Sequence, residues 1–494
     1  MRLVEPVFAD PTLFLVADEQ LFGELQDATY ELHALAKAAE PVIDVTEPWE
    51  GNRRGEGPGV QSDPMDGTVQ YDPHTGLFHM WYRSHNGLVA GPSEREPTAM
   101  PPRSSWICYA TSRDGLTWDK PALGRVPYEQ RFDTNMVRIA VPPVKTSHLN
   151  GVMPDYRPGR EGKFVATCYS HFDDPLYERG ITFLESDNGF DWVPHFPPAL
   201  PMDGDAHFLM WDPSRQCYIC TTRSYVHGRM VHRLQLRGYH ELRNKRHVAI
   251  ASSRDLVHWT PMQTVLEVDE HDPENAQMYT MYVLPYGHGH LGFVQMFYPN
   301  AEMTSGPLDV QVTFSRDLLT WQRIGDRRPF LARGEAGTWD QAHVSLYGNP
   351  PNPEGDTLRF WYGGKDKEHW QNGQGAVGTG TLRRDGFACI AAADGSVTTA
   401  PFDLVWATKM ALSADVDSGG SIRLEVLDAE SLLPLAGCSS TDCDPLTTSG
   451  TRLQVSFTGS TFIRHTGRIR FRIHLKSARL YALKATNCTP VPIP

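Results

Sequence analysis

Five polar side chains hold comparable positions in this sequence. Asp66, Asn150, Asp205, Glu274 and Asp340 each stand just ahead of a strand-like run, the runs beginning near Thr68, Gly151, His207, Gln277 and Ala342. Carboxylates gathered at one opening repel each other, and that repulsion raises the pKa of at least one of them. A protonated carboxyl and a carboxylate in one pocket are what glycosidic cleavage requires. The acid protonates the leaving oxygen while the carboxylate activates water or attacks the sugar carbon. On this reading Glu274 is the general acid, Asp66 the nucleophile or base, and Asp205 orients them or stabilises positive charge. Asn150, His207, Arg223, Gln277, Trp339, Asp340 and His343 form the expected substrate-binding set. Each has a plainer reading: Asp66 and Asp205 could shape turns beside Gly67 and Gly204, and Arg223 could serve a surface ion pair. Glu is a poor turn former, so Glu274 resists the plainer reading best.

The elements that must position these residues are written into a repeat. Ser112-Arg113-Asp114-Gly115-Leu116-Thr117-Trp118 recurs as Ser186-Asp187-Asn188-Gly189-Phe190-Asp191-Trp192, Ser253-Arg254-Asp255-Leu256-Val257-His258-Trp259 and Ser315-Arg316-Asp317-Leu318-Leu319-Thr320-Trp321. Asp or Asn closes a tight turn on nearby amides, Gly tolerates positive φ, and Trp opens the next strand. Apolar strands precede each hairpin, two of them running into Asp72-Pro73 and Asp212-Pro213. The unit is a four-stranded antiparallel meander, repeated at intervals of roughly 60 to 75 residues. Five such units predict an all-β fold, a five-bladed β-propeller over 61–386. Side-by-side first strands would then bring the five polar positions to one mouth of a channel. The repeated tryptophans are expected between blades.

The fifth unit lacks the hairpin signature, and a strand from the N-terminal segment, 1–60, is expected to complete it. That segment packs on the propeller and carries one expected helix, Leu21–Ala39. Beyond Gly386 come short alternating strands at Lys409–Val416, Ser421–Asp428, Thr451–Phe457, Arg468–Leu475 and Ala478–Leu483, the pattern of a C-terminal β-sandwich over 387–494.

At these residues the chain resembles the five-bladed propeller glycoside hydrolases of families 32 and 43, and especially bacterial family-32-like proteins. The likeness rests on the Ser-Arg-Asp-Gly-Leu-Thr-Trp hairpins, on Asp205 to Pro213, on Glu274 to Tyr286, and on Leu382-Arg383-Arg384-Asp385-Gly386-Phe387. It implies a glycosidase using two Asp and one Glu on inner strands, acting on fructosides, arabinosides or related sugars. The chain departs from family 32 at Ser62-Asp63-Pro64-Met65-Asp66-Gly67, where that family has Trp-Met-Asn-Asp-Pro-Asn. The family's Arg-Asp-Pro and Glu-Cys motifs do not appear, and Asn150 replaces its second-blade Asp.

A glycoside phosphorylase on the same fold and a non-catalytic glycan-binding propeller are the alternatives. A net charge of −13 argues against a nucleic-acid partner, and the basic stretch from Arg229 to Arg246 reads as a solvated loop or short helix. No apolar run is long enough for a membrane-spanning helix. Acidic residues interrupt the first apolar residues, so the expected location is cytoplasmic, or secreted or periplasmic if a signal has been removed. The eight cysteines read as reduced thiols without a metal signature. Cys438 and Cys443 are close enough in sequence for a small loop bridge. No cofactor is expected. A structural calcium ion would find room in the channel, although no oxygen-ligand loop is visible.

Overall fold

Wherever the sequence alternates apolar residues between turn formers, the chain is extended. The computed structural model describes residues 1–51, 67–86, 104–128, 130–140, 144–172, 179–195, 198–200, 205–225, 245–301, 305–369, 371 and 373–492. These are all-β, with one 3-10 turn at Pro48–Glu50.

The first sheet runs Gly67–Asp72, Leu77–Asn86, Ser104–Ser112 and Trp118–Asp119. The second is built from Val144–Pro154, Phe164–Phe172, Arg179–Ser186 and Asp191–Pro194, with Arg138–Ile139 added in parallel. His207–Asp212, Cys217–Tyr225, Arg246–Ser253 and Gln263–Leu266 form the third. Gln277–Gly287, Gly289–Phe297, Leu308–Ser315 and Gln322–Arg323 form the fourth meander. His343–Leu346, Thr357–Lys365 and Gly375–Arg383 form the fifth, joined to the fourth by one parallel pair, Leu308 with His343.

Polar side chains link neighbouring sheets through backbone groups. Gln70 donates to the Val152 carbonyl, Asn150 to that of His207 and Thr221 to that of Met281. Gln295 donates to the Val344 carbonyl, and Asn349, in the bend after the first strand of the fifth sheet, accepts the Val69 amide of the first, at 2.9 Å. The contacts therefore run from each sheet to the next and back to the start.

Each repeat closes as its residues dictate. In the first, the Ser112 hydroxyl accepts the amides of Asp114 and Gly115, and Asp114 Oδ1 accepts those of Leu116 and Thr117 at 2.7–2.8 Å. Asn188, Asp255 and Asp317 repeat the pattern. The fourth position lies at positive φ in every copy. Glycine accepts this at 115 and 189, whereas Leu256 and Leu318 sit at 65° and 72°. The previous sheet clasps each hairpin: Trp361 and Trp81 donate to the carbonyls of Gly115 and Gly189, and Arg157 and Arg215 to those of Asp255 and Asp317. Among the repeat tryptophans, Trp192 is fully buried, while Trp118 meets Trp361 edge-on and Trp259 stacks on Phe183, both across sheet boundaries.

Three expectations need correction. Leu21–Ala39 is not a helix: Asp27 takes a left-handed φ of 49°, and the segment divides into Glu24–Gln26, Thr29–Leu32 and Ala36–Lys37. The first two pair with Ala388–Thr398 and the third with Gly375–Arg383, so long-range ladder bonds override local helix preference. Phe8–Ala9 joins the fourth sheet, and Leu13–Leu15 pairs with Gly467–Ala485. Secondly, the short C-terminal strands merge. Met410–Asp428 and Gly467–Ala485 are each 19 residues long in one nine-stranded sheet, with a bulge between Val416 and Ser421 where Gly419 and, across from it, Ser477 adopt positive φ. Thirdly, Asn150 lies inside its strand, beside a bulge at Gly151. All eight cysteines, Cys438 and Cys443 included, are free and buried.

Candidate functional site

Antiparallel pairing decides which residues meet. Where a first strand begins, the second strand ends and the third begins. Pairing of Gly67 with Tyr82 therefore puts Arg83 beside the first opening. Pairing of His207 with Thr222 does the same for Arg223, and His343 pairs directly with Lys365. Arg246 opens the third strand of the third sheet, at the same end. Cations from three sheets thus come to the end at which the polar positions were expected.

Asp205 lies among them. Its carboxylate is ion-paired with Arg223 through the buried Oδ1, and the side chain is 38% exposed against 8% for Arg223. Burial by itself would raise the Asp205 carboxyl. Arg223, Arg246, His207 and Arg83 outweigh that and hold it below the ordinary aspartate range.

The cations are themselves held in place. Arg246 donates to Gln277 Oε1 at 2.8 Å, and its guanidinium lies 5.6 Å from the Tyr279 ring and 5.4 Å from that of Phe297. Arg223 lies 5.4 Å from the same tyrosine ring. The Tyr279 hydroxyl meets His369 Nε2 at 3.2 Å, and His369 packs edge-on against His343, which meets Gln295 at 3.3 Å. Burial, then His343, Lys365, Arg246 and Arg223, hold His369 well below the usual histidine pKa, so its ring is neutral near pH 7.

Asp205, His207, Arg223, Gln277 and His343 therefore come together. Asp66 lies outside the described residues. Glu274 is exposed in the turn before Gln277, and its backbone carbonyl accepts Lys245 Nζ at 2.6 Å. Asn150 is buried and spends its amide on the His207 carbonyl at 3.1 Å. Asp340 is buried against Lys37 at 2.6 Å and the Tyr362 hydroxyl at 3.0 Å, and Trp339 stacks on Tyr362 and donates to the Ala39 carbonyl. Both thereby fasten the N-terminal segment to the fifth sheet.

Sequence reasoning missed Arg83, Arg246, Tyr279, Lys365 and His369. Most of the basic stretch from Arg229 lies outside the described residues, but its last member, Arg246, is buried in a strand and is no solvated loop residue. A signal was present: a cation stands at the end of the second strand in the first, third and fifth repeats.

No protein-family model matches the chain, and no curated protein matches it. Solved structures similar to it in part are glycoside hydrolases and phosphorylases. A β-1,2-mannobiose phosphorylase from Listeria innocua shares 13% identity over 71% of this chain and 96% of its own, with a TM-score of 0.43. For a glycosyl hydrolase from Bacteroides ovatus the values are 12%, 71%, 94% and 0.42. For a β-fructofuranosidase from Schwanniomyces occidentalis they are 10%, 90%, 100% and 0.41. No residue role is carried over from any of them.

Among the described residues, no helix is long and apolar enough to cross a membrane.

Proposed function

We propose that the chain is a carbohydrate-active enzyme that cleaves glycosidic bonds where the first strands begin. In this reading the five sheets are the blades of a propeller over 61–386, 1–60 packs on it, and 387–494 is a sandwich domain. The observation that carries the proposal is Asp205: an ionised carboxylate, partly exposed, held by guanidiniums that converge from distant strands. Such a carboxylate offsets the positive charge that develops on the sugar carbon as its bond to the leaving oxygen breaks. Glu274, at the rim of the same end, supplies the proton to that oxygen, and Asp66, just ahead of Gly67, is the nucleophile or base. His207, Arg223, Gln277 and His343 bind sugar hydroxyls or orient Asp205.

Turnover of a panel of aryl furanosides and pyranosides tests this reading, run with and without inorganic phosphate. Cleavage of any member, lost in Glu274→Gln for poor leaving groups but kept for activated ones, is the expected result. No turnover under either condition would leave a glycan-binding protein and end the enzymatic reading.

One observation favours a second reaction. Arg83, Arg223, Arg246 and Lys365 come to this end in a chain of net charge −13, and cations so gathered suit a phosphate oxygen attacking the sugar carbon in place of water. Release of a sugar 1-phosphate would identify phosphorolysis.

A further inference from the structure

Away from that end, the N-terminal strand Thr29–Leu32 pairs with Ala388–Thr398, and Cys389 stands directly across from Glu31. The ladder continues to His33, whose amide donates to the Phe387 carbonyl. Glu31 and His33, two apart on an extended chain, share a face, and Cys389 projects from the same face of the partner strand. The result is a carboxylate, an imidazole and a thiol whose ligand atoms all lie within 4.8 Å of one another.

We propose that Glu31, His33 and Cys389 bind a divalent zinc ion that clasps the N-terminal segment to the last sheet. The ligand types suit a borderline-soft cation and do not suit calcium or magnesium, which prefer oxygen alone. The spacing fits too. Bonds of about 2.3 Å to sulfur and about 2.0 Å to nitrogen at a tetrahedral angle set those two atoms about 3.5 Å apart, and Cys389 Sγ lies 3.5 Å from His33 Nε2. Glu31 Oε2 lies 3.9 Å from the sulfur, and as the exposed member of the set it is free to close the remaining gap. A thiol-to-imidazole hydrogen bond would account for two of the three groups. With the thiol donating to Glu31 Oε2 and the imidazole to the sulfur, hydrogen bonds would hold the same three groups without a metal, and cobalt uptake separates the two cases.

The Gly386 backbone lies beside the imidazole, where outer support would fix a ligating histidine. Arg479 and Asp415 face the group as well, their charges opposed. Glu31 being exposed, the fourth position falls to water. Binding replaces the thiol proton by the ion, so one proton leaves for each zinc bound.

Titrating the metal-free full chain with Co2+ tests the site through the thiolate-to-metal absorption band and the visible bands of tetrahedral cobalt, with Zn2+ then competing. One ion per chain is expected, with loss of the thiolate band in Cys389→Ser and binding at least tenfold weaker in Glu31→Gln. Zn2+ should raise the melting temperature of the parent and not of His33→Gln, which gives the readout should Cys389→Ser fail to fold. A thiolate band that survives Cys389→Ser, or a parent that takes up no cobalt, would overturn the proposal.

Discussion

Aspartates at the hairpin ends of the sheets and Asp205 at the opposite end are held in different ways. At the hairpin end, Asp114, Asp255 and Asp317 accept amides two and three residues further along. Those amides hold Asp114 at about 2, with burial a minor influence. At the other end Asp205 is held by side chains, Arg223 and Arg246, that arrive from other strands. Both carboxylates stay ionised, but one is satisfied by its own turn and the other needs the assembled fold. The hairpin carboxylate is fixed through Oδ1 by amides of its own turn. Asp205 is fixed by cations that only the assembled sheets bring to it.

The largest difference should appear on exchanging the acids. Asp205→Asn is expected to lower turnover about 10²- to 10³-fold with only a small change in melting, whereas Asp255→Ala should lower stability and leave turnover intact. Steady-state kinetics beside thermal melts of both variants checks this, and matching effects in the two would dissolve the contrast. Next in size is Trp192→Ala, which empties a fully buried site and should cost about 3–5 kcal/mol in denaturant unfolding. Trp259→Ala, at a half-buried position, should cost less.

Asp309 shows what burial does when no strong cation compensates. Desolvation, only partly offset by Arg333 and the Tyr298 hydroxyl, raises its carboxyl from 3.8 to about 6. Because the folded pKa lies above the unfolded one, ionising the group opposes folding. The penalty is absent below about pH 4 and fully developed above the folded value. Asp309→Asn should therefore stabilise the protein at pH 8, by on the order of 3 kcal/mol, and be neutral near pH 3.5. Unfolding curves at the two pH values decide it. The subtlest test is Arg223→Met. Without the guanidinium, the Asp205 carboxyl should rise by about 1–3 pH units, and the acid limb of the activity profile should move upward with it. A limb that stays put would remove Asp205 from the ionisation that governs turnover.

Legibility followed the same division. The four hairpins were readable because Ser, Asp or Asn, and Trp act within seven consecutive residues, and the strands opening at His207 and Gln277 were readable from their apolar runs. The N-terminal segment was not. Edge strands such as Ala36–Lys37 owe their conformation to a partner more than 300 residues away, and nothing local distinguishes them from a helix. At the candidate site Asp205 and Glu274 stood out by position, but the cations did not. Arg83 and Lys365 reach the site through strand register, and register emerges only once both partners are aligned. Asp340 shows the reverse failure: its position matched the pattern, yet its carboxylate is committed to Lys37 and Tyr362.

The pairing of Leu13–Leu15 with the strand Gly467–Ala485, reinforced by Lys484 reaching Asp10 across 474 positions, bears on how the chain is made. At a synthesis rate of roughly 5–20 residues per second, the N-terminal strands wait about 20–90 s for the partner that covers Phe14 and Leu15. Throughout that interval their backbone edges and apolar side chains are open to any neighbouring nascent chain. The strand Leu13–Leu15 can therefore complete its pairing only after residues 467–485 have been made, and a chaperone that shields the early segment until then should raise the yield of native protein.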